Sequence, residues 1–408
     1  MSWTHFLGNK NKQVNQDVNG DLFTKTVITS MPDVNIKKIN GLTSVKKTLS
    51  PKGLLDIEVL KDYKYQPMSA GSDDYLYGLN KGNKRMTRTI DGFETTESGF
   101  DFLASGIGEP AFVTKTPTGF LAYVNHVDGL TASIWHSQSF SNGFEKVLDL
   151  TNGYVAGAFV PRPLHNVDQG VVMVAEYTIE KDVNRPARAW ISRRGGIAGS
   201  WTLINTVSAV DSSKNFHFHA VCYDPWQSRI YTSKGDYENR LLEYSDDWGK
   251  TWSLIETDTQ PTLLEPMANR IVTAPDANDV VSINTIEKQI NNDYTVTPFM
   301  KKQITISPIS SYGNFGKGPV GGVVGSDEMY VTFAESGSKI KKCFIVATGD
   351  GGESWHLVYT AEPLDGGGLM RGLVTDPLTG VMYGYYTANI YGDGTWEHLA
   401  RIKPIEWV

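Results

Sequence analysis

An all-β fold, a β-propeller of four-stranded antiparallel blades, is predicted by three observations. One turn recurs at a near-constant spacing. A second, eight-residue pattern accompanies it. The composition is rich in Gly (40), Trp (10), Tyr (19) and Phe (16) over 408 residues. Glycines and aromatics in this proportion favour short strands joined by tight turns. Four antiparallel strands repeated every forty to fifty residues or so is the propeller arrangement.

The recurring turn joins two apolar runs. It reads VTKTPTGFLAYV around Pro117, VCYDPWQSRIYT around Pro225, IVTAPDANDVVSI around Pro275, VVGSDEMYVTF around Ser326 and LVTDPLTGVMYGY around Pro377. Successive members lie about fifty residues apart, and a double step after Pro117 places a missing member near Pro161–Gly170. An earlier copy runs from Ser69 to Gly78. Seven turns imply seven blades. Six is the alternative, because the stretch 262–306 has a polar interior and lacks the second pattern. An array of β-sandwiches would not need the same turn at the same offset. Each period holds four strand candidates: 321–325, 329–333, 343–348 and 354–359, then 371–375, 381–386, a short strand near Ile390, and 395–402.

The second pattern is Ser/Thr-x-Asp-x-Gly-x-Ser/Thr-Trp. It is complete as SDDWGKTW (Ser245, Asp247, Gly249, Thr251, Trp252) and as TGDGGESW (Thr348, Asp350, Gly352, Ser354, Trp355). Worn copies stand at Thr89–Asp91, Ser192–Trp201 and Asp393–Trp396. This pattern resembles the Asp-box of sialidase-like (BNR-repeat) propellers. The resemblance implies a structural hairpin between a blade's third and fourth strands. The Asp would accept turn N–H groups, the Gly would take a positive φ, and the Trp would pack between blades. A calcium loop is disfavoured, since the oxygen ligands of an EF-hand are missing.

Residues 1–62 do not fit the period. They are expected to form an N-terminal attachment segment, with 63–408 as the propeller. The alternative is that they lend a strand to close the ring. Cys222 and Cys343 lie in apolar runs and read as buried thiols. The first residues lack the apolar core of a signal peptide, and no stretch is apolar for long enough to span a bilayer. Neither export by a simple leader nor membrane insertion is expected. The net charge of −7 argues against nucleic-acid binding, which needs a basic surface.

Strand alternation sorts the turns onto two rims. First-to-second and third-to-fourth turns share one. Second-to-third loops and blade connections share the other, and these are dense in Asn, Lys, Tyr and Asp. Such groups hydrogen-bond and stack on sugars, although any one loop reads as ordinary solvated surface. Candidate ligand-binding residues on this rim are Asn125, His126, Lys234, Tyr237, Tyr312, Tyr386 and Asn389. Glu109, His219, Arg270 and Arg371 are expected to open inner strands and ring the channel. There the arginines would hold a carboxylate or phosphate, or pair with Glu109 or Glu265 as filler. His217 and His219 share a strand face, but with no third ligand visible no metal is expected. No cofactor motif occurs.

The sialidase-like resemblance raises glycoside hydrolysis as an alternative. A sialidase site needs three arginines on one carboxylate and a Tyr–Glu pair. Only Arg270 and Arg371 are suitably placed. Arg162 falls on the opposite rim, no Glu accompanies Tyr312 or Tyr386, and the Arg-Ile-Pro signature is absent. In organisation the chain is similar to the propeller-headed receptor-binding proteins of phages that infect Gram-positive bacteria. That resemblance implies a virion tail adhesin, made in the host cytoplasm. It would bind a cell-wall saccharide such as wall teichoic acid without cleaving it, attach to other tail proteins through its N-terminal segment, and assemble as a homotrimer. A structural tail or scaffold propeller is the further alternative.

Overall fold

The computed structural model describes residues 50–408, except 61–62, 72, 130, 152–153, 160–169, 178–185, 208–216, 236–238, 268–269, 276–280, 291–295, 307–327, 335–342, 362–367 and 389–395; further upstream it describes a two-residue ladder of Asn15–Gln16 with Leu22–Phe23. The strands form seven antiparallel sheets in a ring. Blade 1 is Tyr65–Ala70, Leu76–Asn80, Arg85–Thr89 and Glu97–Ser98. Blade 2 is Gly108–Thr116, Gly119–His126, Ala132–Ser137 and Glu145–Leu150. Blade 3 is Tyr154–Phe159, Val172–Tyr177, Ala187–Ser192 and Trp201–Val207. Blade 4 is Phe218–Asp224, Arg229–Lys234, Leu241–Ser245 and Ser253–Ile255. Blade 5 is Pro261–Met267, Arg270–Pro275, Val281–Ile290 and Val296–Ile306. Blade 6 shows Met329–Ala334, Cys343–Thr348 and His356–Ala361 among the described residues. Blade 7 is Gly368–Thr375, Met382–Ala388 and Trp396–Lys403, with Asp56–Leu60 as its outermost strand.

Burial falls from hub to perimeter. Every residue of Phe218–Asp224 is buried, because neighbouring sheets cover both faces. The outer strand Trp201–Val207 is mostly solvated. The apolar core is therefore a series of inter-blade layers. Met173, Ile191 and Ile204 of blade 3 pack with Phe218, Val221 and Ile230 of blade 4. Cys222 is buried and unoxidised within blade 4.

The chain closes its ring with its own N-terminal side. Asp56–Leu60 pairs in register with Leu399–Lys403. Upstream, Ser50 and Val408 exchange two backbone hydrogen bonds of 3.0 Å, and Lys52 N donates to Glu406 O. This corrects the division at residue 62, because residues 50–60 belong to the propeller. It also corrects the reading of blade 7. Residues 396–403 are the third strand, so Trp396 opens that strand and the worn copy that ends on it does not lie between third and fourth strands. A four-strand count within 371–402 leaves no vacancy for a closing strand. The seven-blade reading itself stands. The landmark turns at Pro117, Pro225 and Pro377 join first and second strands, as expected. Pro275 does not: it ends the second strand of blade 5, whose first strand is Pro261–Met267.

Third-to-fourth turns described in blades 1, 4 and 6 press against the preceding blade. An added Cβ at Gly249 of blade 4 would lie 2.5 Å from Ile204 of blade 3, and one at Gly352 of blade 6 would lie 3.1 Å from Arg270 of blade 5. One at Gly92 of blade 1 would lie 2.0 Å from the Tyr383 hydroxyl of blade 7. That last contact spans the closure, and Gly92 has φ 71°. Gly92→Ala therefore adds a left-handed strain to a clash with a buried ring. It should destabilise the fold by about 2 kcal/mol or more, read as a lowered denaturant midpoint in equilibrium unfolding.

Candidate ligand-binding rim

The turns of the box rim are held by side chains, as the pattern implies. In blade 4 the Ser245 hydroxyl donates to Asp247 (2.8 Å) and accepts from Gly249 N (2.8 Å). Asp247 accepts from Thr251 N (2.9 Å) and from the Thr251 hydroxyl (2.7 Å). The Trp252 indole donates across the blade junction to Ile204 O (3.1 Å). Thr348, Asp350, Gly352 and Ser354 repeat the bonds within the turn in blade 6. The Trp355 indole donates to Gly352 O. Thr89, Asp91 and Thr95 repeat them in blade 1. In blade 3, which has no Asp, the Ser192 and Ser200 hydroxyls meet directly at 2.7 Å. Blade 2 carries a copy that sequence comparison missed, in which the Ser137 hydroxyl accepts from Ser139 N and donates to Asn142 O. Its signal was a bare Ser with neither Asp nor Trp.

Arg270 belongs to this rim, not to the opposite channel mouth. It begins a second strand, where it donates to Gly352 O (2.8 Å) and pairs with Glu353 and Glu287. It is 4% exposed, so it is committed to the joint between blades 5 and 6 and is no ligand-binding residue. Neither Glu109 nor Glu265 is its partner. Glu109 pairs instead with Lys84 of blade 1 (2.8 Å).

The other rim carries two described polar groupings. On blades 1 and 2, Asn125 and His126 end a second strand beside the Lys84–Glu109 pair, and Asn125 faces Glu109 in register. Asn125 Oδ1 accepts from the Tyr123 hydroxyl (3.1 Å). The His126 ring bridges Thr131 (2.8 Å) and Ser133 (2.6 Å). Both residues stay half-exposed, and Val127 beside them is open to solvent. On blades 3 to 5, Tyr177 lies against His217 with centroids 3.9 Å apart, and His217 meets His219 edge to face at 4.5 Å. His219 Nε2 lies 3.1 Å from both Gly235 O and Gln260 Nε2. Lys234 is buried in an ion pair with Glu243 (2.7 Å). His219 and Lys234 are thus brought together, but as buried members of a blade junction. Arg371 lies on the innermost strand of blade 7, and Tyr386 lies on its second strand. Tyr237, Tyr312, Asn389 and Arg162 lie outside the described residues. Among the described residues no group of three His, Cys, Asp or Glu is placed to hold a metal.

Neither a protein-family model nor a curated protein matches the sequence. Among solved structures, the chain is similar to the Cps50 (Swd1) β-propeller domain of Myceliophteria thermophila. Identity is 10%, the TM-score is 0.53, and the match covers 85% of this chain and 99% of that one. The chain is a seven-bladed β-propeller. YCF48 from Cyanidioschyzon merolae matches at 11% identity and TM-score 0.46 over 87% of this chain and 97% of that one. A subtype N11 neuraminidase-like protein of A/flat-faced bat/Peru/033/2010 matches at 8% and 0.39 over 86% and 96%. Likeness at such identities concerns the fold alone.

The bonds from Thr251 N and the Thr251 hydroxyl pull the Asp247 carboxyl down to about 2. Burial alone would raise Asp350, yet bonds from Ser354 and Thr348 hold it below its ordinary value. A depressed folded-state value adds stability above the unfolded Asp range near 3.9, and the gain is lost as pH falls through the folded value. Asp247→Asn should therefore flatten the acid limb of stability between about pH 4 and pH 2. Urea midpoints measured across that range, against wild type, check it.

Proposed function

We propose that this propeller is a phage tail receptor-binding head that holds a bacterial cell-surface glycopolymer, such as wall teichoic acid, on its loop rim without cleaving it. One observation carries the reading: the upstream chain joins the ring on one rim, and the polar group around Asn125 and His126 lies on the other. Ser50 pairs with Val408, and neighbouring Trp407 lies against Gly349 in the blade 6 turn. The segment upstream of Ser50 therefore joins the ring on the box rim. Asn125, His126, Lys84 and Glu109 lie on the other rim, which an anchored head would present outward.

The chemistry of that rim suits sugars. Amides, an imidazole and an ion pair supply donors and acceptors at the hub end of the strands. The side chains of Asn125 and His126 are pre-oriented by Tyr123, Thr131 and Ser133, which lowers the ordering cost of binding. The net charge of −7 favours contact through hydrogen bonds over a broad basic surface. The commitment of Arg270 to a blade joint takes away one of the only two arginines expected to suit a sialidase-type clamp, which needs three. Residues upstream of 50 would attach to other tail proteins, and a trimer of weak sites would gain avidity.

Sedimentation with purified cell walls tests the reading. Walls from a wild-type Gram-positive strain should deplete the protein, and walls lacking teichoic acid should not. No reducing sugar should be released. Asn125→Ala with His126→Ala should cut retention at least tenfold with the melting temperature unchanged. Equal retention by both walls would sink the proposal, and released sugar would move it to the hydrolase class.

A further inference from the structure

The ring grips the upstream chain well beyond the strand that completes blade 7. Asp56–Leu60 pairs with Leu399–Lys403, and the antiparallel run continues outward. Lys52 N donates to Glu406 O (2.8 Å), Pro51 bridges to Trp407, and Ser50 exchanges two bonds of 3.0 Å with Val408. Between the two paired stretches, Leu55 and Ile405 are buried in the core cluster that blade 6 shares with blade 7. Hydrogen bonds tie this joint to blade 6. Leu55 N donates to Val358 O (2.9 Å), and Ile405 N donates to the Tyr330 hydroxyl (3.0 Å).

The two ends of this run face different pulls. Ser50 and Val408 lie side by side at the box-rim end, where the upstream chain departs. Leu60 lies at the end nearer the other rim, and the backbone passes from there into blade 1 at Tyr65. Antiparallel rungs stand perpendicular to their strands. A pull on the upstream chain, resisted at the rim of Asn125 and His126, acts along the strand and shears all the rungs together. Beyond Leu60 the covalent chain hands the same tension to blade 1. A pull that separates Ser50 from Val408 acts across the strand at one end and opens the rungs one after another. A single rung is weak, whereas rungs that must break together present one high barrier to forced opening.

We propose that residues 50–60 and 399–408 form a directional clasp. It resists tension between the upstream chain and the opposite rim, and it yields to tension between the two chain ends. Its use rests on the attachment reading above, because the strong direction is then the one along which a bound cell would pull on an anchored head. The anisotropy itself follows from the ladder and does not depend on any ligand.

Single-molecule force spectroscopy of the full chain tests the clasp. One handle sits at the N-terminus. The second sits either at Asn83, which is exposed in the second-to-third loop of blade 1, or after Val408. At one loading rate, the first rupture of the ring through Asn83 should need at least twice the force of the first rupture through Val408. Equal forces, or a stronger Val408 direction, overturn the clasp. Glu58→Cys with Arg401→Cys, oxidised, checks the order of opening. Pulled through Val408, it should still release the residues outside the cross-link at low force and then stop, until reduction restores full extension. An oxidised protein with no low-force release would place the first opening elsewhere and overturn the proposal. No cell wall enters this measurement. Unequal forces in a protein that ignores teichoic acid would leave the clasp standing and sink the adhesin reading, and equal forces in a protein that binds walls would do the reverse.

Discussion

The pairing of Asp56–Leu60 with Leu399–Lys403 is the interaction on which the remaining architecture depends. A ring of sheets has a seam wherever the first and last blades meet. An unpaired strand there would expose a ladder of N–H and C=O groups. Here the seam lies inside blade 7, which takes three strands from the end of the chain and one from upstream of blade 1. Lys403–Asp56 and Lys52–Glu406 flank it with exposed ion pairs, which add little each. The backbone ladder and the burial of Ile57 and Val59 against the blade 6–7 core hold the seam together. The same pairing fixes the polarity of the molecule, because it delivers the upstream chain to the box rim.

A second constraint repeats around the ring. The box-type turns of blades 1, 3, 4 and 6 each press a glycine against the blade before them, closer than a Cβ would comfortably fit. The Ser/Thr hydroxyl and the Asp carboxylate stiffen the turn so that this contact is reproducible. The neighbouring blade supplies whatever partner its own sequence allows. Ile204 meets Gly249, Tyr383 meets Gly92, and Arg270 caps Gly352 O. Arg270 shows how a buried cation serves such a joint, since its charge is met by Glu353 and Glu287 and its Nη1 donates to a turn carbonyl. Removing one partner of such a set leaves a buried charge, which is why it holds the joint in one geometry.

Much of the fold was legible in the sequence because turn chemistry is local. Asp247 and Asp350 announce their hairpins through residues that bond each other within one turn, and the Pro225 and Pro377 turns repeat for the same reason. The closing strand was not legible, because nothing in DIEVL says which distant strand it pairs with. The misreading of Arg270 had a related cause. The Pro275 turn matched the period, although in blade 5 it ends the second strand, and that shifted Arg270 from one rim to the other. Site residues fared according to context. Asn125 and His126 sit where strand alternation placed them. Lys234 has a buried partner, Glu243, that no local pattern signalled.

The two rims therefore differ in what they carry. One carries the side-chain-bonded turns and receives the upstream chain. The other carries the longer loops and the polar groups at the hub. Both assignments rest on the seam, so the most direct measurement is a cross-link across it. Glu58 and Arg401 face each other in register. With both changed to cysteine, mild oxidation should form an intramolecular disulfide in the full-length monomer and raise its melting temperature. A protein that stays reduced, or that cross-links only between molecules, would contradict closure of the ring by its own N-terminal strand.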